Sequence, residues 1–201
     1  MKRRKQTLLL ITACYALAAG CGPNQPHQSL DRALLPGSQL PSNTPPQVAA
    51  AHDGNANSWV RVVTPDPAVR SDNLARLKDS GFKRGSVRQY RASGSSEPIL
   101  GLIQAVAEVD GSSAARQLTD SSFTSALRKA ESRGGGTFDP GTLGDFRRGL
   151  VAHAAGIPVY SIIWQRGNLV YYLSVVANAN GGPSQARVIT LAHKLDQRHQ
   201  Q

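Results

Sequence analysis

The chain has 201 residues, with 23 Lys and Arg against 13 Asp and Glu, so its formal net charge is +10. This length is enough for one domain that buries its own core without disulfides. The only two cysteines are Cys14 and Cys21, so the chain after Cys21 has no thiol for a disulfide, a thiolate metal site or a cysteine nucleophile. The basic residues are scattered, which argues against a nucleic-acid site. A basic surface favours anionic lipid headgroups or wall polymers, or is simply solvated.

The first 20 residues have the anatomy of an export signal. Basic residues occupy positions 2–5, and an apolar run extends from residue 8 to residue 19. This run is too short to span a bilayer as a helix, and the arrangement is typical of a cleaved signal peptide. Removal of residues 1–20 would leave a formal net charge of +6, because four basic residues and no acidic residue lie there.

The segment Leu17-Ala18-Ala19-Gly20-Cys21 resembles the lipobox of bacterial lipoproteins, although Ala18 stands where that family prefers leucine. The resemblance implies that Cys21 becomes the N-terminus and carries palmitate-type acyl chains, so that the protein is anchored in the cell membrane and faces outside the cytoplasm. Two or three chains on one cysteine anchor a protein stably, whereas one chain binds reversibly. The alternatives are an ordinary secretory signal, in which Cys21 is incidental, or a twin-arginine signal.

Residues 21–57 are rich in Pro, Gln, Asn, Ser, Gly and Ala and contain few large apolar side chains. Such a segment lacks the apolar surface that would offset the entropy of ordering, so its composition predicts a flexible tether. A short helical turn is expected at residues 31–35. A single domain is expected over residues 58–201.

The sequence of the first half of this domain predicts two helices and three strands. The helix at 112–132 has the strongest pattern, because its apolar residues recur at helical spacing and a run of three glycines follows it. The predicted elements in chain order are a strand at 59–63, a helix at 72–80, strands at 87–92 and 99–109 joined by a hairpin, the helix at 112–132, and a loop at 138–145.

The second half predicts three strands, at 147–154, 159–165 and 169–177, and a final helix that opens at Pro183. The helix has one apolar face, formed by Val188, Leu191, Ala192 and Leu195. The last two strands form a hairpin. If Arg166 and Gly167 are its turn, Trp164 lies opposite Leu169 and Ile162 opposite Tyr171.

Strands joined by hairpins pair antiparallel, and helices must cover the apolar face of the resulting sheet. The order of elements therefore predicts an α+β domain, with an antiparallel sheet of about five or six strands and helices packed on one face. The pattern loosely resembles sensor-type lipoprotein domains of actinomycetes. That resemblance depends on four segments: Ala33-Leu34-Leu35-Pro36, Leu77 followed by Gly81-Phe82, the hairpin from Trp164 to Asn168, and the final helix from Leu191 to Arg198.

The sequence predicts no catalytic residue, no metal ligand set and no cofactor site. It has no G-x-S-x-G elbow and no H-E-x-x-H motif, and its glycine run follows a helix instead of opening one. A lone histidine is more often a surface residue than a catalyst. The five histidines are dispersed, at His27, His52, His153, His193 and His199.

One side of the last hairpin carries the residues with the clearest binding potential, namely Tyr160, Trp164 and Tyr171. If helices cover this side it is core, and if it lies open it is a candidate binding face. The opposite side mixes polar and apolar residues. The leading hypothesis is a non-enzymatic lipoprotein that binds a small-molecule ligand or an envelope protein. The alternatives are an exported hydrolase that acts on envelope material and a structural component of an envelope complex.

Overall fold

The computed structural model describes residues 29–41, 46–64 and 66–198, so the signal segment and Cys21 lie outside the described residues. Short 3-10 turns occur at Leu30–Ala33, Gly37–Gln39 and Pro67–Val69. The strands and α-helices in chain order are β1 Gln47–Gly54, α1 Ala56–Val63, α2 Arg70–Asp79, β2 Arg84–Arg91, β3 Ile99–Glu108, α3 Gly111–Glu131, β4 Gly136–Phe138, β5 Phe146–Ala154, β6 Ile157–Arg166, β7 Leu169–Ala177 and α4 Gln185–Arg198.

All seven strands form one antiparallel sheet in the order β1-β2-β3-β7-β6-β5-β4. The predicted antiparallel α+β class is confirmed, but the sheet has seven strands where five or six were expected. The two missed strands, β1 and β4, are its edges. β4 has only three residues and starts at Gly136, in the glycine run that was interpreted purely as a helix stop.

Helices cover both faces of the sheet, so the prediction that they pack on one face is wrong. On the first face, called here face 1, the helices α1, α2 and α3 bury side chains such as Val87, Ala105 and Val170. On the opposite face, face 2, the segment 29–41 and α4 bury Leu102, Trp164 and their neighbours. The domain therefore has three layers, because both faces of the central strands are apolar.

Residues 59–63 were predicted as a strand but form the second half of α1. The side chain of Asn55 caps this helix by accepting a hydrogen bond from the Ser58 amide at 3.0 Å. Trp59, Val60 and Val62 are buried along it. Their spacing fits one face of a short helix as well as an apolar strand, so the sequence pattern is ambiguous. Packing of α1 against the sheet overrides the strand preference of the two valines.

Trp59 fixes α1 to the sheet. Its indole Nε1 donates to the carbonyl oxygen of Val106 at 3.1 Å, across strand β2. Gly85 makes this approach possible, since a Cβ at that position would lie 2.5 Å from Trp59 Cδ1. A glycine that weakens a strand on its own thus allows an aromatic ring to lie directly on the backbone.

The prediction of a flexible tether over residues 21–57 is wrong for the part of it that the structure describes. The 3-10 turn Leu30–Ala33 occupies most of the helical turn expected at residues 31–35. The segment 29–41 lies on face 2, and its apolar side chains join the main core: Leu30, Ala33, Leu34, Leu35 and Leu40. Although this stretch is short of large apolar residues overall, four leucines are enough to hold it on the sheet.

Strand β1 also lies in the predicted tether and pairs with β2 along most of its length. Its side chains are small, apart from Gln47, Val48, His52 and Asp53. Val48 is 49% exposed. The strand is therefore held by backbone hydrogen bonds more than by side-chain burial, and such edge strands leave a weak pattern in the sequence.

The β6–β7 hairpin has the expected faces but a different register. Arg166 lies opposite Leu169, and Trp164 lies opposite Tyr171 instead of Leu169. The two-residue turn is thus Gly167-Asn168, with Gly167 at φ +57°. The shift from the predicted pairing is two residues, so every side chain keeps its predicted side of the sheet.

Candidate ligand-binding cavity

The aromatic side of the hairpin belongs to the core of face 2. Trp164 and Tyr171 are both 0% exposed, and their rings stack at 5.1 Å with an interplanar angle of 9°. Tyr160 is half-buried and meets the ring of Phe138 at 6.4 Å. Segment 29–41 and α4 cover these residues. Trp164 and Tyr171 therefore belong to the interior, and Tyr160 packs against its edge.

A buried carboxylate, Asp196 on α4, organises this core. Its oxygens accept from Trp164 Nε1 at 3.0 Å and from Arg166 Nε and Nη2 at 3.0 and 2.5 Å. Burial would raise the pKa of Asp196, but the hydrogen bonds and charge of Arg166, with the bond from Trp164, hold it below its usual value. Burial, and then the charge of Asp196, raise the pKa of Tyr171 well above its usual value.

The described histidines do not assemble a hydrolase site. His52 pairs with Asp31, Nδ1 to Oδ1 at 2.7 Å, while His153 is exposed at the end of β5 and His193 is half-buried on α4. Within residues 29–41, 46–64 and 66–198, no serine hydroxyl is hydrogen-bonded to a histidine. No group of three or more His, Cys, Asp or Glu in the same ranges is placed to hold a metal ion.

Face 1 contains a cavity of about 240 Å³ between the sheet and the helices α1, α2 and α3. Its floor is formed by β5, β6 and β7, and its roof by α3. Most of its lining is apolar. The lining residues are Trp59, Val63, Leu77, Leu118, Phe123, Ala126, Leu150, Ile163, Val170 and Tyr172, with Thr64, Asp66, Asn73, Ser122 and Ser161 as the polar members.

Polar groups gather at the end of the cavity where the chain passes from α1 to α2. Asn73 Nδ2 donates to Thr64 Oγ1 at 2.9 Å, and Arg70 Nε donates to the Thr64 carbonyl at 3.2 Å. Asp66 is exposed there and accepts from the amide of Ala68. An apolar interior with a few fixed polar groups at one end is the usual composition of a small-molecule site.

The cavity exists because small side chains meet where α3 crosses the sheet. Ser122 and Ala126 lie one helical turn apart on α3, and Ser161 faces them from β6. The Ser161 hydroxyl lies 3.1 Å from that of Ser174 on the neighbouring strand. Ser122 and Ser161 leave space that a leucine or phenylalanine would fill, while Ala126 is exposed where it lines the cavity.

Cation–π contacts surround Phe123, which lines the cavity. The guanidinium of Arg148 lies 5.9 Å from the Phe123 ring centroid and 4.4 Å from that of Phe146, while Arg116 lies 4.7 Å from Phe146. Arg148 also pairs with Asp120 on α3 at 3.4 Å. This cluster joins β5 to α3 beside Phe123.

The sequence left open whether the aromatic side of the hairpin is core or a binding face, and it proposed no binding residue on the mixed side. The uniform aromatic side is core, whereas the mixed side supplies Ser161, Ile163, Val170 and Tyr172 to the cavity. The mixed side did contain a sign of the cavity. Small polar residues interrupt its apolar surface at the place where a long helix crosses the sheet. The residues at the α1–α2 connection were missed because α1 itself was predicted as a strand.

The fold is similar to that of a known extracellular domain. The chain matches the crystal structure of the extracellular domain of PknH from Mycobacterium tuberculosis with a TM-score of 0.58 and 12% sequence identity, over 86% of this chain and 95% of that chain. No family model and no curated protein matches the sequence. At this identity the similarity shows a shared fold alone.

None of the helices in the described part of the chain combines the length and the apolar character needed to cross a bilayer. The longest, α3, has 21 residues but carries charged side chains along its outer surface.

Proposed function

We propose that this protein is a lipid-anchored domain, exported from the cytoplasm, that binds a small apolar ligand in the cavity of face 1. The observation that carries the proposal is the cavity itself, an apolar space of about 240 Å³ with polar groups at one end. Leaving such a space unfilled costs packing energy, which scales with cavity volume at about 24 cal/mol per Å³. A bound ligand would recover that energy.

The volume and the lining restrict the class of ligand. An engineered apolar cavity of about 150 Å³ binds benzene. A cavity of about 240 Å³ therefore suits one or two fused rings or a short branched chain. Thr64 and Asn73 place hydroxyl and amide groups at the polar end, which suits a ligand with a single hydroxyl or carbonyl group. Binding needs no cofactor in this proposal.

The exported location rests on the sequence and is consistent with the fold of the PknH extracellular domain. The lipobox-like segment before Cys21 supports lipid anchoring, and Cys21 is the residue that would carry the acyl chains. The cavity supports a binding role over the runner-up, an exported hydrolase, since the described residues hold no serine–histidine pair. The second alternative is a structural role in an envelope complex, and the binding experiment distinguishes it from ligand binding.

The binding proposal is tested with the fluorescent probe N-phenyl-1-naphthylamine, which becomes bright in apolar surroundings. We expect saturable fluorescence with the wild-type protein, and a rise in its unfolding temperature on addition of the probe. Ser122→Leu should fill the cavity and weaken binding at least about ten-fold, while leaving the fold intact. A saturable signal that Ser122→Leu leaves unchanged would place the probe elsewhere.

Thr124→Leu is the matched control, because Thr124 lies on the same helix, is exposed and does not line the cavity. It should bind the probe like the wild type. If the wild-type protein gives neither saturable fluorescence nor thermal stabilisation, the binding function is rejected and the structural alternative is favoured.

Anchoring is tested separately by Cys21→Ser in the native host. The wild-type protein should remain with the membrane fraction and enter the detergent phase, and the variant should be released. Equal fractionation of the two forms as soluble protein would reject the anchor, whatever the result of the probe experiment.

A further inference from the structure

We infer that face 2 of the domain is held against an anionic lipid surface, so that the ligand cavity of face 1 opens away from the membrane. The proposed function assigns no partner to face 2. The orientation of the domain depends on the proposed lipid anchor at Cys21. It follows from three observations: the length of chain between Cys21 and the folded domain, the charge around the point where that chain arrives, and the position of the cavity.

Only eight residues, 22–29, separate Cys21 from the first core residue, Leu30. Even a fully extended chain covers about 3.3–3.6 Å per residue, so Leu30 lies within about 30 Å of a lipidated Cys21. Leu30 is 6% exposed on face 2, and its amide donates to Asp53 Oδ1 at 2.9 Å. The anchor therefore has a short reach, and it arrives on the face opposite α1, α2 and α3.

A basic surface borders this point of arrival. It consists of Arg32 in the first 3-10 turn and of Arg187, Lys194 and Arg198 on α4. The three α4 residues recur at i, i+7 and i+11, which places them along one stripe of the helix. Arg198 joins this stripe to the N-terminal segment, because its Nε donates to the Arg32 carbonyl at 3.1 Å and its Nη1 to Gln39 Oε1 at 3.2 Å.

These four positive charges have no ion-pair partner among residues 29–41, 46–64 and 66–198. The acidic groups beside the surface are engaged elsewhere. Asp31 binds Arg88 and His52, and Asp53 accepts from the Leu30 amide. Basic residues held close to an anionic membrane contribute about 1 kcal/mol each, and a short anchor supplies that proximity. The surface is therefore complementary in charge to anionic lipid headgroups.

The cavity lies on the other side of the sheet. Ser122 and Ala126, which line it, belong to α3, and α3 packs on β5 and β6 from face 1. With face 2 against the headgroups, α3 and the polar end at Thr64 point away from the bilayer. A ligand would then reach the cavity from outside the membrane.

The charge complementarity is measured with a Cys21→Ser chain that begins at residue 21, which lacks both the acyl chains and the basic, apolar signal segment, so the result depends on neither. We expect it to bind phosphatidylcholine vesicles that contain phosphatidylglycerol, and to bind pure phosphatidylcholine much more weakly. In the same background, Arg187→Glu with Lys194→Glu should lower the affinity about 25-fold or more, at about five-fold per basic residue removed.

The matched control is Arg128→Glu with Lys129→Glu, which reverses two exposed charges on α3 at face 1. It should change the affinity much less than the α4 pair. Equal effects of the two double variants would show that only net charge matters, and would overturn the assigned face. Binding that is independent of phosphatidylglycerol content would also overturn it.

The orientation is then measured on the lipidated protein in the same vesicles. Because the chain after Cys21 has no cysteine, one label can be introduced at Ser38→Cys on face 2 or at Thr124→Cys on face 1. A fluorophore at residue 38 should be quenched by headgroup-labelled lipid, and one at residue 124 should not. Equal quenching at the two positions, or stronger quenching at residue 124, would overturn the orientation while leaving the anchor itself established.

Discussion

Gln104 and Leu35 form a reciprocal pair of hydrogen bonds in the centre of face 2. The Leu35 amide donates to Gln104 Oε1 at 3.0 Å, and Gln104 Nε2 donates to the Leu35 carbonyl at 2.6 Å. Gln104 is 0% exposed on the central strand β3. Its side-chain amide supplies the donor and the acceptor that the Leu35 backbone would otherwise find in a neighbouring strand. The pair explains how a glutamine is tolerated in the middle of an apolar core.

Gln104→Ala should therefore destabilise the domain by about 1–3 kcal/mol, because it leaves the buried Leu35 amide without a partner, while the Leu35 carbonyl keeps only its bond from Arg88 Nη1 at 3.2 Å. The free energy of unfolding in urea measures this. Gln89→Ala on β2 is the control, since Gln89 is half-buried on face 1, away from the N-terminal segment. We expect it to cost less than about 1 kcal/mol. Similar losses for the two variants would contradict a special role for the Gln104–Leu35 pair.

Truncation at two positions separates the anchor linker from the packed N-terminal segment. A chain that begins at Ser29 should unfold with nearly the stability of the protein that begins at Cys21. A chain that begins at Ser42 lacks four core leucines, Leu30, Leu34, Leu35 and Leu40, each contributing about 1.5–3 kcal/mol. That total rivals the stability of a whole domain, about 5–15 kcal/mol. The shorter chain should therefore fail to fold cooperatively, as judged by circular dichroism and urea unfolding.

The sequence predicted most of the central sheet and the three longer helices because their patterns repeat. Strands β3, β6 and β7 have long apolar runs, and α3 and α4 have apolar residues at helical spacing. These patterns exist because each element buries a continuous face. The register of the last hairpin differs from the predicted one by two residues. This difference does not change which side of the sheet each side chain occupies, because side chains alternate with a period of two.

The N-terminal segment and the cavity were not predictable from pattern alone, for two different reasons. Segment 29–41 is held by a few leucines and by Gln104 and Arg88, which lie more than 50 residues away along the chain. A window of local sequence does not contain those partners. The cavity depends on where Ser122 and Ser161 meet across two layers, and small residues give no local sign of the space that they leave.

Acid should destabilise the protein through Asp196. Its pKa is lowered in the folded state, where Arg166 and Trp164 donate to it, against an unfolded value near the ordinary one of about 3.9. A lowered pKa means that its stabilisation is present above the unfolded value and is lost as the pH falls from about 4.5 toward the folded pKa. Asp196→Asn should flatten the fall in stability below about pH 4.5, while lowering stability at neutral pH.

The measurement is urea unfolding of both proteins from neutral to acid pH. Asp72→Asn on α2 is the control, because Asp72 is exposed and belongs to no ion pair in the described residues. It should leave the acid dependence almost unchanged. If Asp196→Asn follows the same acid curve as the wild type, the loss of stability in acid arises from other carboxylates.

Two substitutions of Trp164 separate its packing from its hydrogen bond. Trp164→Ala should destabilise the domain by about 3–5 kcal/mol, because it removes a fully buried ring that stacks on Tyr171. Trp164→Phe keeps an aromatic ring but removes the Nε1 donor to Asp196, so it should cost clearly less than the alanine variant. Urea unfolding of both variants measures the two losses, and the alanine variant should have the lower transition midpoint. A near-neutral Trp164→Ala would contradict the burial of this residue and would return the aromatic side of the hairpin to consideration as a binding face.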